Sequence, residues 1–150
     1  MRLYLDLCAL KRPYDRKTSD LVVIEALSVA RLIEAAENGL VEIVSSAILD
    51  AENSRNPDPV RRDGVAALMS KFESRIEVDD EVAARARFVE TLGFRPLDAL
   101  HAACAESGRC DFLVTTDKGM LSTGQRIPQK IRVRIANPIE VVRLLEETTT

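Results

Sequence analysis

The chain has 150 residues, of which 46% are hydrophobic, 30% charged and 4% aromatic, with a formal net charge of −3. That length fits one domain spanning residues 1–150 and burying roughly 70% of the surface its unfolded chain exposes, and the composition excludes a disordered chain. The mild negative charge excludes capture of a polyanion by overall attraction, so any contact with nucleic acid must rest on local Lys and Arg clusters and on bound cations.

Leu3-Tyr4-Leu5 reads as a first strand that runs into Asp6. It is apolar on both faces, as a parallel strand covered by helices on both sides requires. No apolar stretch reaches the length of a signal peptide or a membrane span, which predicts a cytosolic protein with no membrane partner. Lys11 to Asp20, containing Pro13, reads as a polar loop. A helix follows from about Leu21 to Asn38, with Val22, Ala26, Val29, Ile33 and Ala36 on one face and Asn38-Gly39 as a left-handed stop.

Leu40 to Val44 is the second predicted strand, and Ser45-Ser46 offers caps to a helix over Ala47 to Asn53. Asn56-Pro57-Asp58-Pro59 reads as a turn, with Asp58 capping a helix that reaches about Phe72. Arg75 to Val78 is a short third strand. Asp79-Asp80 then opens a helix, favourably acidic at its amino end, that Gly93 closes. Pro96 stands at the start of a helix over Leu97 to Glu106, which Gly108 stops. Phe112 to Thr115 and Ile131 to Ile135 complete the strands, and Asn137-Pro138 begins a last helix through Leu145, before the terminal Thr148-Thr149-Thr150. Strands alternating with helices predict an α/β fold: a three-layer α/β/α sandwich on a parallel sheet of about five strands with right-handed crossovers.

Four acids stand out against this frame. Asp6, Glu52, Asp98 and Asp117 fall at or beside the carboxyl ends of strands 1, 2 and 4, or on the crossovers flanking them. Each has a plain reading as a helix cap, a turn former or a solvated helix residue. Together they lie along the edge of an open α/β sheet where ligands bind. Carboxylates gathered in one pocket raise one another's pKa unless a cation compensates, and a hard divalent ion such as Mg²⁺ or Mn²⁺ takes carboxylate oxygen. The reaction class in keeping with such a site is hydrolysis of a phosphodiester. Competing nucleophiles find little support: there is no Gly-x-Ser-x-Gly elbow and no phosphate-cradling glycine loop. Cys8, Cys104 and Cys110 have no paired spacing, and with His101 as the one nitrogen ligand a structural zinc site is not expected. All three read as reduced, mostly buried thiols, and His101 as a packed or supporting residue.

With these residues in view, the runs Leu3-Tyr4-Leu5-Asp6, Ser46-Ala47-Ile48-Leu49-Asp50-Ala51-Glu52, Leu97-Asp98-Ala99-Leu100-His101-Ala102-Ala103 and Asp111-Phe112-Leu113-Val114-Thr115-Thr116-Asp117 together resemble the PIN domain over nearly the whole chain. The resemblance implies a metal-dependent ribonuclease. Many small members are VapC-like toxins, held by an antitoxin encoded nearby and usually homodimeric. Position by position it implies that Asp6, Asp98 and Asp117 hold Mg²⁺ or Mn²⁺, that Glu52 completes the catalytic acids in preference to Asp50, and that Thr115 and Ser46 support them. Asp111 precedes its strand and belongs at the opposite edge. The chain departs from the pattern where Leu7-Cys8 follows Asp6 in place of a Ser or Thr, and where Met120-Leu121 stands for an Asp-Phe pair.

Lys11, Arg12, Arg16 and Lys17, with Arg55 and Arg95, are the basic residues expected near the acids, where RNA phosphates need donors; Tyr14 is a candidate for base stacking. Three other readings stay open at this point. A haloacid-dehalogenase-like phosphatase wants a second Asp where Cys8 stands. A receiver-like Mg²⁺-binding module wants paired acids and a late Lys where Ala136-Asn137-Pro138 stands. A PIN-fold scaffold without catalysis is the third.

Overall fold

The computed structural model describes residues 1–149; of the terminal threonine run, Thr150 lies outside the described residues. In chain order the elements are β1 (Arg2–Leu5), α1 (Leu7–Lys11), a 3-10 turn (Arg12–Tyr14), α2 (Asp20–Glu37), β2 (Glu42–Ser46), α3 (Ala47–Ser54), α4 (Pro59–Met69), β3 (Ser74–Ile76), α5 (Asp80–Glu90), α6 (Pro96–Ser107), β4 (Phe112–Val114), α7 (Lys118–Arg126), β5 (Arg134–Ala136) and α8 (Pro138–Thr149). The five strands form one sheet in the order β3-β2-β1-β4-β5, every neighbouring pair parallel. The expected α/β/α sandwich is present.

β1 is the middle strand, and its side chains show why. Leu3, Tyr4 and Leu5 are no more than 1% exposed, as a strand covered on both faces must be. The chain leaves β1 toward β2 on one side and returns to β4 on the other. The carboxyl ends of β1 and β4 therefore flank the point where the strand order reverses, the place at which parallel sheets open a crevice.

Caps fix the helix starts that feed this crevice. Ser46 accepts from the Leu49 N–H at 3.1 Å, Asp58 from those of Val60 and Arg61, and Asp79 from that of Val82, each satisfying a donor that the first turn leaves unpaired. Gly39, at φ +75°, ends α2 in the left-handed conformation expected of it.

Elsewhere the structure departs from the expectations. The segment after Asp6 is not a loop from Lys11: α1 and the 3-10 turn occupy residues 7–14, because Asp6 caps α1 by accepting from the Ala9 N–H at 3.0 Å. α7 is a helix that composition hides, since it carries Gly119 and Gly124. Gly124 is small for a packing reason, as a Cβ there would come within 2.9 Å of Ile135 on β5. β5 begins three residues later than expected: β4 is only three residues long and pairs with Arg134–Ala136, so Ile131 and Val133 pack as buried residues outside the ladder. At the end of α6 the left-handed residue is Arg109, at φ +55°, not Gly108. Gly108 instead lets Ile76 of β3 approach to 3.0 Å of where a Cβ would stand.

Candidate active site

Asp6 is fixed by both ends of its backbone geometry. Its N–H donates to the Val114 carbonyl at 3.1 Å, extending the β1–β4 ladder, and its carboxylate caps α1. The nearby Thr115 hydroxyl favours its charged form. Only 4% of Asp6 is exposed. Burial pushes its pKa up to about 6, against the opposing pull of the Thr115 hydroxyl and the Ala9 N–H. Thr115 in turn accepts from the Asp117 N–H at 3.0 Å. The buried Thr115 hydroxyl thus holds the turn that carries the acid after β4.

Asp117 caps α7, accepting from the Met120 N–H at 3.1 Å, and Gly119 leaves room for the tight turn, since a Cβ there would lie 3.2 Å from Oδ1. Burial disfavours the charged form of Asp117, but the Met120 N–H and the Arg95 guanidinium outweigh it and hold the carboxyl below the usual carboxylate range. Asp98, in the first turn of α6, accepts from Arg95 Nε at 3.0 Å, and the same guanidinium pairs with Asp117 through NH2. These residues line a pocket of about 410 Å³ together with Gly93, Phe94, Gly119 and Thr123.

Glu52 stands on α3, half-buried, and His101 of α6 bonds it, Nε2 to Oε1 at 3.0 Å. Behind it, His101 Nδ1 lies 2.7 Å from the Tyr4 hydroxyl, which lies 2.7 Å from Ser46 Oγ. Asp50 turns away and pairs with Arg75 of β3. Geometry thus brings Glu52 rather than Asp50 to the cluster. The link from Tyr4 through His101 to Glu52 is what sequence reasoning missed. Two signals pointed to it: a tyrosine hydroxyl within a buried strand needs a partner, and Asp98 and His101 are three apart on one helix and share a face.

Cys8 adjoins this cluster. Burial, then the nearby Asp6 charge, pushes its thiol up to about 12, with Asp117 and Glu52 adding to the effect. It is no thiolate nucleophile. All three cysteines are free; Cys104 and Cys110 are buried and Cys8 is partly so.

The basic residues divide. Arg12 is held by Asp15 and by the buried Glu25, at 3.0 and 2.9 Å, so it fastens the 3-10 turn to α2. Arg95 is engaged by Asp98 and Asp117, and Lys17 donates to the carbonyls of Pro13 and Asp15. Arg16 and Arg55 are exposed. Tyr14 is 36% exposed and lays its ring against Gly64, where a Cβ would come within 2.7 Å. Asp111 accepts from the Arg2 N–H at the amino-terminal edge of the sheet, away from the acids, as expected. A larger concavity of about 590 Å³ is lined by Arg85, Glu106, Arg109 and Arg132. Glu106 there is taken up internally by both Arg85 nitrogens and the Arg132 N–H.

The donor set of Asp6, Asp98 and Asp117 is hard oxygen, which suits a divalent cation such as Mg²⁺ or Mn²⁺. Two of these acids already converge on one positive group, the Arg95 guanidinium. Among the described residues no three acids, histidines or cysteines are spaced to hold an ion as they stand.

The family model of the PIN domain matches residues 7–125, a span that takes in Glu52, Asp98 and Asp117 and begins directly after Asp6. Among solved structures, the chain resembles FitAcB from Neisseria gonorrhoeae at 16% identity and a TM-score of 0.56, covering 91% of this chain and 97% of that one. It resembles VapBC2 from Rickettsia felis, solved bound to a DNA fragment from their promoter, at 16% identity and a TM-score of 0.61, over 91% and 98% of the two chains. For PAE2754 from Pyrobaculum aerophilum the identity is 18% and the TM-score 0.53, over 99% and 90%. At such identities the likeness concerns the fold. No curated protein sequence matches the chain.

Proposed function

The chain belongs to the PIN domain family, whose members are generally nucleases, and from that premise we propose that it is a metal-dependent endoribonuclease and the toxin of a toxin–antitoxin pair. The observation that carries the reading is the Arg95 guanidinium shared by Asp98 of α6 and Asp117 after β4, with buried Asp6 held to the end of β4 by its N–H on the Val114 carbonyl. Asp98 and Asp117 line one pocket, at the sheet edge where β1 and β4 both end.

In this reading Asp6, Asp98 and Asp117 hold Mg²⁺ or Mn²⁺. The ion supplies Lewis acidity toward the scissile phosphate and lowers the pKa of water. The chain's own residues do the rest. Thr115 holds the Asp117 turn by accepting from its N–H. Glu52 accepts a proton from the attacking water as its general base. Exposed Arg16 and Arg55 attract RNA phosphates, and Arg95, once released from the acids, joins them.

Support for a protein partner comes from the resemblance to VapC-like toxins and the structural likeness to VapBC2. In this reading a segment of the antitoxin covers the acidic pocket, and the chain acts as a homodimer in the cytosol. No helix among the described residues is long and apolar enough to cross a membrane. The strand order 3-2-1-4-5 differs from the 2-1-3-4-5 order of flavodoxin-like receiver folds, and the PIN match sets aside the receiver and phosphatase readings. A non-catalytic PIN scaffold is the second reading, favoured by the Arg95 pairing that satisfies two acids without a metal.

Incubation of the purified chain with single-stranded RNA and Mn²⁺ separates the two. Cleavage that EDTA and Asp98→Ala both abolish is expected. Cleavage surviving both, or no cleavage together with no Mn²⁺ binding by calorimetry, would sink the nuclease reading. Expression of the chain alone is expected to arrest growth, and Asp98→Ala to relieve the arrest.

A further inference from the structure

We infer that His101, backed by Tyr4 and Ser46, is a positioning residue that holds the Glu52 carboxylate in place; the inference rests on the proposed nuclease reading and deepens it. His101 is 3% exposed and Tyr4 fully buried, so the groups linking them have no water to fall back on. The contacts form one unbroken line: Ser46 Oγ to Tyr4 Oη at 2.7 Å, Tyr4 Oη to His101 Nδ1 at 2.7 Å, His101 Nε2 to Glu52 Oε1 at 3.0 Å. It crosses β2, β1, α6 and α3 in turn.

Donor and acceptor chemistry gives the line a direction. A carboxylate only accepts, so the proton facing Glu52 sits on Nε2. Nδ1 of that tautomer is an acceptor, and the Tyr4 O–H fills it. Ser46 Oγ already accepts from the Leu49 N–H at 3.1 Å, which leaves its own proton for Tyr4 Oη. A phenol is protonated at neutral pH, so Tyr4 has the proton it donates. Glu52 is a long side chain on a short helix, and left alone it samples several rotamers. Fixing Oε1 to a ring that is itself anchored in the central strand selects one of them and presents Oε2 to the site. Carboxylates at such sites are themselves held by hydrogen-bonding partners behind them.

The chain has a single histidine, so the imidazole nitrogen NMR spectrum of ¹⁵N-histidine-labelled, metal-free protein reports on this ring alone. Expected are a protonated Nε2, a bare Nδ1 and an Nε2–H proton protected from exchange, with Tyr4→Phe loosening the tautomer preference. In kinetics, His101→Phe is expected to lower kcat by about tenfold to a hundredfold with KM nearly unchanged. His101→Gln, whose amide N–H falls near Nε2, is expected to recover most of the loss. A wild-type spectrum with the proton on Nδ1, or equal kcat for wild type and His101→Phe, would overturn the inference. Should the wild type cleave no RNA, the nuclease reading falls, and the ring spectrum still decides whether the line of bonds is ordered as described.

Discussion

Asp6 carries the clearest electrostatic consequence at the level of single residues. Its pKa in the folded chain is raised from 3.8 to about 6 by burial, so the folded state binds that proton more tightly than the unfolded one. Its contribution to stability is therefore fully present below the unfolded pKa, shrinks as pH rises through the window up to about 6, and is gone above it. Asp6→Asn, which cannot ionise and keeps an acceptor for the Ala9 N–H, should stabilise the metal-free protein above pH 6 by on the order of 2 kcal/mol. The gain should vanish near the unfolded pKa; thermal melts in EDTA across that range check both points. Asp117 has the opposite sign, its lowered pKa contributing stability that is lost as pH falls, but it is common to both proteins and cancels in the comparison. Arg95 yields a second expectation. Because it pairs with Asp98 and Asp117, Arg95→Gln removes a competing cation, and calorimetry should show Mn²⁺ binding several-fold tighter than in the wild type.

At the scale of elements, the acids are caps before they are anything else. Asp6 starts α1 and Asp117 starts α7, each spending Oδ1 on a first-turn N–H. The plain reading of these residues and the functional one are thus both satisfied by the same side chains, since a carboxylate has two oxygens and capping uses one. α7 matters because its start is the Asp117 turn, and its seat on β5 depends on Gly124 meeting Ile135. Gly124→Val should cost about 1–3 kcal/mol through overpacking, read as a lowered urea midpoint. A loss no larger than that of a typical surface substitution would show that α7 yields easily. The helix was hard to read from sequence because two glycines depress its propensity; tertiary contact with β5 is what demands one of them.

For the whole molecule, the decisive property is a parallel sheet whose strand order reverses beside β1. That reversal lets residues as far apart in sequence as Asp6 and Val114 share a hydrogen bond, the Asp6 N–H donating to the Val114 carbonyl at 3.1 Å. On the proposed nuclease reading, a chain of net charge −3 would hold RNA through a few local cations. Binding should accordingly weaken with salt, and replacing Arg16 or Arg55 by Ala should reduce the log–log salt slope by about 1 each, measured by fluorescence anisotropy on a catalytically dead Asp98→Ala background. An unchanged slope would place the phosphates on another surface.

The sequence by itself determined the α/β class, the strands and most helix caps, because each follows from short-range chemistry: apolar runs that suit buried parallel strands, and Ser or Asp beside the first turn of a helix. It also marked the acids, since four carboxylates at strand ends recur in a recognisable order. Only the tertiary structure decided that Asp50 pairs with Arg75, that Arg12 binds Glu25 and Arg95 binds the acids, and that Tyr4 and His101 stand behind Glu52. Those choices depend on which side chain faces which neighbour across elements distant in the chain, a matter of helix rotation and sheet register that local sequence does not encode.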